Sequence, residues 1–308
     1  MESIKIASMT TLTIFIPCII VGNALVILSV YRNESLRTPT NLILASMAFA
    51  DLLSGLIADP LEIILIKDIF ACRPEQHVYT LPTYLTAGVA FCHITMITTD
   101  RFIAVTRPLR YVSIVTHYRI GYGIAIMWTC IVLYFGGRTA LITLDVTNGT
   151  SQCYGDSYIH ENRATISITW AFMFLYSFAI TSILVFNIRI LQIAVKQSRI
   201  IANIRQRNRD GPGGQDGVLQ LKAFKTVSVV VGVFIISWCP YLILELLSLT
   251  VILSDVVRLA LVGLVYLSCS FSSFINPLIY CYRDRRFRHA FLVIIRTPFD
   301  AMKCTFSA

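Results

Sequence analysis

This sequence predicts an all-α fold: seven membrane-crossing helices in one bundle, with a short amphipathic helix on the cytoplasmic face. Three observations carry that expectation. The 308 residues are 56% hydrophobic and 14% charged, with mean hydropathy +0.71; an ordinary soluble domain has about 25% charged residues. Seven apolar runs reach the length of about 20 residues that a helix needs to cross a bilayer. Of the 26 Lys and Arg residues, twenty fall in alternate connecting segments and six in the others, the asymmetry that orients membrane helices. No strand-like alternation recurs, which argues against a barrel, and no inverted repeat of the transporter kind is visible.

The spans read as roughly 7–31, 40–66, 78–106, 118–137, 165–195, 221–251 and 257–281, with the whole chain, 1–308, as one domain. With the N-terminus outside, the basic-rich segments face the cytoplasm. They carry Arg32 and Arg37, then Arg101 to Arg119, Arg189 to Lys225, and Arg283 to Lys303. The net charge of +9 is thus a belt facing anionic lipid and an acidic or polar partner, and needs no nucleic acid. The first run is too long for the core of a cleavable signal, has no small-residue cleavage site and precedes Arg32, so it reads as a signal anchor of a multi-pass plasma-membrane protein. After Tyr280, basic residues alternate with Phe287, Phe291, Leu292 and Ile295. That spacing predicts an amphipathic helix over about 283–296 on the inner membrane face. Cys304 follows it, as an acylation site or a bare cysteine.

Of nine cysteines, only Cys72 and Cys153 face the oxidising side. One disulfide between them is the expectation, with two free thiols as the alternative. Closing a loop of roughly 80 residues contributes about 4–5 kcal/mol in the chain-entropy treatment. Asn148-Gly149-Thr150 is a glycosylation sequon on the same outer loop, which is polar and of mixed charge from about 138 to 164. Gly211-Pro212-Gly213-Gly214 breaks up the third inner loop.

Polar residues at lipid depth are costly and demand partners. Asn23 lies in span one, Asp51 in span two, and Ser272, Ser273 and Asn276 in span seven. A carboxylate at mid-bilayer costs at least about 2.5–3.5 kcal/mol on insertion scales. These five residues therefore predict a hydrated cluster between spans two and seven, able to hold a sodium ion and to shift when the bundle repacks. A static hydrogen-bond staple is the alternative, and Pro277, which breaks the backbone ladder beside Asn276, favours the switch. Asp100-Arg101-Phe102 ends span three, where a solvated interface pair is the ordinary reading of adjacent Asp and Arg. His93 reads as a packing contact. No phosphate-binding loop, nucleophile elbow or zinc spacing occurs, so nothing points to an enzyme or a metal centre.

Taken in order, these motifs resemble the rhodopsin-like (class A) G-protein-coupled receptors. The likeness covers nearly the whole chain: Gly22-Asn23, Leu44 to Leu53, Asp100-Arg101-Phe102 with Pro108, Trp128, Phe234 with Trp238-Cys239-Pro240, Asn276-Pro277-Leu278-Ile279-Tyr280, and Phe287. The resemblance implies an extracellular, small ligand among the outer halves of the helices and a heterotrimeric G protein docking inside. It implies Asp100, Arg101, Phe102, Asn276, Pro277 and Tyr280 as the coupling switch. It places Phe234 and Trp238 under the pocket and makes Pro240 the bend about which span six swings outward. Departures are Phe102 and Phe186 for the usual Tyr, Ser237 for Cys, Phe178 for Pro, Ala90 for Ser, Gln220 for an acid, and Cys72 about one turn early.

The six lysines include none in span seven, so a retinal pigment is excluded. Amine receptors place an Asp in the outer half of span three; here Thr83 and Tyr84 stand there, which argues against an amine held by that Asp. Leu109 to Thr116 is similar to adenosine and melanocortin receptors, but Glu245 and Asn276 depart from their respective patterns. Asp59, Glu62 and Glu245, with Thr83, Tyr84, Tyr241 and Tyr266, predict an acidic, aromatic pocket for a ligand carrying positive charge or several donors. The alternative is that the acids only reach the outer headgroup region. A transporter or channel would need ionisable residues in a continuous path, and the sequence offers only Asp51 at mid-membrane. A receptor that has lost coupling is the third reading.

Overall fold

The computed structural model describes residues 1–67, 76–147, 151–154, 157–160, 180–190 and 254–306, with a few single positions between 174 and 247. Among these, five helices are long and apolar enough to cross a membrane: Glu2–Arg32, Pro39–Lys67, Val78–Thr106, His117–Leu144 and Asp255–Arg283. They are spans one to four and seven. Of spans five and six, the described part is the helical Ile180–Ile190 and isolated helical positions such as Trp238 and Pro240.

The first helix, α1 (Glu2–Arg32), begins earlier than its apolar run and ends in an extended Asn33. A short 3-10 turn, Glu34–Leu36, leads to α2 (Pro39–Leu53). Thr38 caps α2 by accepting from the Asn41 N–H, and Pro39 at the first position loses no bond there. Span two is not one regular helix. A π-helical turn at Ser54–Ala58 joins α2 to α3 (Asp59–Lys67), with the Asp59 N–H reaching back to the Ser54 carbonyl. Pro60 explains it: without an N–H it cannot bond to the Leu56 carbonyl, and its ring crowds the preceding turn.

The helix α4 (Gln76–Thr106) is followed by a 3-10 turn, Pro108–Arg110, and the single-turn α5 (Tyr111–Ile114). The helix α6 (His117–Thr147) runs about ten residues beyond the expected end of span four. Arg138, which suggested an interface boundary, sits instead over the Tyr84 ring at 5.3 Å, so the helix can continue past its charge. The outer loop then forms a hairpin of β1 (Ser151–Tyr154) and β2 (Ser157–His160), antiparallel, which the irregular polar composition did not predict. The last two helices are α7 (Asp255–Arg283) and α8 (Arg285–Phe306), the latter extending past the expected Arg296.

The main core gathers residues of the bundle with those of α8. Val26, Ile43, Met47, Phe91, Ile94, Ile97, Ile183, Trp238, Ile279 and Tyr280 form it together with Phe287, Ala290 and Phe291 of α8. These last three are the apolar face of the amphipathic helix, seated on α1 and α7. Large apolar residues on the outer faces, such as Ile14, Val21, Phe49 and Leu133, are exposed; lipid covers them without cost.

The approach of α1 to α7 depends on Gly22. A Cβ there would lie 3.0 Å from Pro277 Cγ. The same contact satisfies the backbone: Pro277 cannot donate to the Ser273 carbonyl one turn earlier, and Asn23 Nδ2 donates to it instead at 3.2 Å. Gly22-Asn23 and Asn276-Pro277 are thus two halves of one junction.

Candidate functional site

Three polar clusters occupy successive depths of the bundle. At the inner end, the Arg101 guanidinium folds onto Asp100, with Nε 2.9 Å from Oδ2. Arg101 Nη2 also donates to Thr40 Oγ1, which in turn donates to Asp100 Oδ2 at 3.0 Å. The other carboxylate oxygen accepts from the Tyr111 hydroxyl at 2.8 Å. Asp100 is buried while the Arg101 side chain keeps 20% exposure. The pair is therefore tied to α2 and to the inner loop, and is more than a solvated interface contact. Burial raises the Tyr111 phenol above its ordinary range, so it stays a donor. Beside this ring, Phe102 stacks on Phe186 at 4.8 Å; the two positions where Phe replaces Tyr meet each other.

At mid-depth, Asp51 accepts from Ser273 Oγ at 2.7 Å and from Asn276 Nδ2 at 3.0 Å. Asn23 joins through the Ser273 carbonyl, and its own Oδ1 is buried without a partner. Ser272 is a correction: its hydroxyl turns back to the Cys269 carbonyl at 2.9 Å and does not meet Asp51. A hydroxyl one residue from Ser273 lies about 100° round the helix, so both cannot face one carboxylate. The oxygens gathered here are those of Asp51 and Ser273 and the unpartnered Asn23 Oδ1, while Asn276 contributes its amide nitrogen. Tyr280 lies below, its hydroxyl 3.9 Å from Met47 Sδ, and its ring 6.0 Å from that of Phe287.

In the outer half stand Asp59 and Glu62, each 1% exposed. Both carboxylates are thus packed inside the bundle and not on its surface. Asp59 Oδ1 accepts from Ser54 Oγ at 3.0 Å and Ser270 Oγ at 3.2 Å. Glu62 Oε1 accepts from Thr83 Oγ1 of α4 at 3.0 Å. The second oxygen of each carboxylate is buried with no partner. The π turn sets this geometry. Eight uninterrupted α residues would turn Asp59 about 80° from Asp51; the extra residue in the wide turn brings it within about 20°. Asp51 and Asp59 then meet Ser273 and Ser270, one turn apart on α7. Tyr84 stacks on Phe135 at 5.8 Å, and Tyr266 is partly buried on α7.

Trp238 packs edge-on to Phe91 at 6.4 Å. Phe234, Tyr241, Glu245, Cys72 and Asn148 lie outside the described residues, and Cys153 falls in β1. His93 is buried, its Nδ1 2.8 Å from the Val89 carbonyl.

The profile described as "7 transmembrane receptor (rhodopsin family)" matches residues 22–280. The chain belongs to the rhodopsin family of seven-transmembrane receptors. As a rhodopsin-family receptor it is a multi-pass membrane signalling protein, not an enzyme. Its relatives include trace amine-associated receptor 1 of Homo sapiens, 27% identical over 90% of this chain and 83% of that protein. Trace amine-associated receptor 7e of Rattus norvegicus is 28% identical over 89% and 78%. Trace amine-associated receptor 7d of Mus musculus is 29% identical over the same shares.

Sequence reasoning missed Thr40, Tyr111, Ser54 and Ser270. The first two were within reach: a Thr after a capped Pro at the inner end of span two faces the end of span three, and Tyr111 follows Pro108 at a fixed short distance. Ser270 precedes Ser273 by one turn, a spacing that itself marks a polar stripe.

Proposed function

We propose that this receptor binds a small extracellular ligand and activates an intracellular heterotrimeric G protein by outward movement of span six. The chain acts as one domain, 1–308, with its N-terminus outside, Cys72 bridged to Cys153 and Asn148 glycosylated. The observation that carries the reading is the inner ring of Asp100, Arg101, Thr40 and Tyr111. A guanidinium held by a buried carboxylate is a latch that can be released toward a partner. Agonist binding shifts a pre-existing equilibrium between a latched and an open packing, with Phe234 and Trp238 under the ligand and Pro240 as the bend.

The ligand is small and carries positive charge or several donors, held among Asp59, Glu62, Thr83, Tyr84, Tyr241, Glu245 and Tyr266. The shared name of the relatives, which associates them with trace amines, agrees with the acidity of that set. A sodium ion near Asp51, bound by Asp51, Ser273 and Asn23 oxygens, would neutralise the carboxylate in the latched state. Asn276 and Pro277 then let α7 shift when it is lost, and Tyr280 follows.

The test is nucleotide exchange on purified heterotrimeric G proteins by membranes carrying the receptor, scanned against a ligand library. Arg101→Ala is expected to retain ligand binding and to lose exchange. Equal exchange by both proteins refutes the role given to Arg101.

A further inference from the structure

We infer that Glu62 supplies from span two the carboxylate that amine receptors supply from span three, and that it holds the ammonium group of a small amine ligand. The inference deepens the ligand reading above and rests on it. Three observations meet here. Thr83 and Tyr84 stand in the outer half of span three, where amine receptors place an Asp, so that half of the helix offers no acid to a cation. Yet a carboxylate is present at that spot, because Glu62 Oε1 accepts the Thr83 hydroxyl proton at 3.0 Å. Its other oxygen, Oε2, is buried and unpartnered, in a residue 1% exposed.

A buried carboxylate with an idle oxygen is costly. Asp59, three residues earlier on the same face of α3, repeats the pattern with an idle Oδ2. Two carboxylates thus share one region, and no Lys or Arg hydrogen bond or salt bridge to either is found among the described residues. Arg138 is placed over the Tyr84 ring. A primary ammonium offers three donors and one positive charge. It can satisfy Glu62 Oε2 and Asp59 Oδ2 together, with the Thr83 hydroxyl oxygen as a further acceptor. The Tyr84 and Tyr266 rings are the aromatic surface for the rest of an aralkylamine. The π turn at Ser54–Ala58 is what makes the substitution possible, since it turns Glu62 toward α4 while keeping Asp59 over Asp51.

An inorganic cation could use the same oxygens, so the experiment separates the two sources. Purified full-length receptor is melted with phenethylamine, with its neutral isostere 2-phenylethanol, and with sodium chloride alone. We expect phenethylamine to raise the melting temperature and 2-phenylethanol to leave it unchanged. Glu62→Gln should weaken the amine effect at least tenfold, and the double variant Glu62→Gln/Thr83→Asp should restore it, because the charge returns to the same place from the other helix. A cooperative melting transition of ligand-free Glu62→Gln shows that the single variant folds. Asp51→Asn should remove stabilisation by sodium chloride and keep that by the amine. Arg101→Ala should keep the amine effect, so binding is read independently of coupling. No shift with phenethylamine, equal shifts with both compounds, an amine shift that survives Glu62→Gln, or failure of the Thr83→Asp rescue overturns the assignment. So does a sodium effect that persists in Asp51→Asn and disappears with Glu62→Gln.

Discussion

Thr40 gives the sharpest test of the inner latch. Its hydroxyl accepts from Arg101 Nη2 and donates to Asp100 Oδ2, so Thr40→Ala removes two charge-assisted bonds while deleting only one oxygen and a methyl group. A hydrogen bond to a charged group contributes about 1.5–3 kcal/mol. The Arg101 side chain keeps 20% exposure, and water can replace part of what is lost, so the low end, about 1.5 kcal/mol, is the reasonable figure. That shifts the latched-to-open ratio about 12-fold. A resting open population of about 1% becomes about 11%, and ligand-free nucleotide exchange rises in proportion. Thr40→Ser keeps the oxygen and should match the wild type. Tyr111→Phe removes the second tether to Asp100 and should act in the same direction, with a non-additive double variant because both partners hold one carboxylate. Basal exchange in Thr40→Ala equal to or below wild type, at equal surface expression, would refute the claim that this ring holds the resting state.

Two further outcomes follow from the geometry. Asp284 precedes α8 and accepts from the Arg286 N–H at 2.8 Å and from its guanidinium. Its burial alone would raise the carboxyl; the Arg286 bonds and charge outweigh that and hold it below the usual range. A depressed carboxyl stabilises above its ordinary value and is lost only as pH falls through the lower one, so α8 docking should not vary between pH 5 and 8. Asp284→Ala should loosen the first turn of α8 by about 0.5–2 kcal/mol, read as faster amide exchange over 285–291. At α1, Gly22→Val drives a branched side chain into Pro277; the receptor should lose about 1–3 kcal/mol and melt several degrees lower, while Gly232→Ala, whose new Cβ meets nothing within 4 Å, should leave melting unchanged.

The bundle was legible in the sequence because lipid imposes a rule that composition cannot hide: a backbone at membrane depth must be helical or closed. Seven apolar runs and the basic asymmetry follow from it. Helix ends were less legible. Span four was expected to stop near Arg138, yet the charge finds Tyr84 and the helix goes on. The π turn was hidden because nothing in Ser54–Ala58 announces it; only Pro60, five residues beyond Gly55, hints that the ladder must adjust. Asp51, Ser273 and Asn276 were found as a set since a mid-membrane acid must have partners. Ser272, adjacent to Ser273 in sequence, lies about 100° round the helix and bonds to the Cys269 carbonyl, a difference that residue type alone does not reveal.

The outer acids carry the argument furthest. Asp51, Asp59 and Glu62 rise along span two, and Asn276, Ser273 and Ser270 answer the lower two along α7. The hydroxyls on one side of α7 therefore serve two carboxylates, each with capacity to spare. A cation taken between Glu62 and Asp59 binds Oδ2 of the carboxylate whose Oδ1 holds Ser270, and any movement of Ser270 is passed along a helix whose ladder is already broken at Pro277. A coupling claim requires α7 to have two arrangements, and the missing rung at Pro277 is where the helix would yield between them. The inner consequence can be measured separately from the outer one. With Ser270→Ala, amine binding should persist, because Glu62 and Thr83 are untouched, but the amine should release less of the inner latch, read as a smaller ratio of stimulated to basal exchange. Loss of amine binding in Ser270→Ala would instead make Ser270 a ligand contact and leave α7 without a role as the transmitting rod.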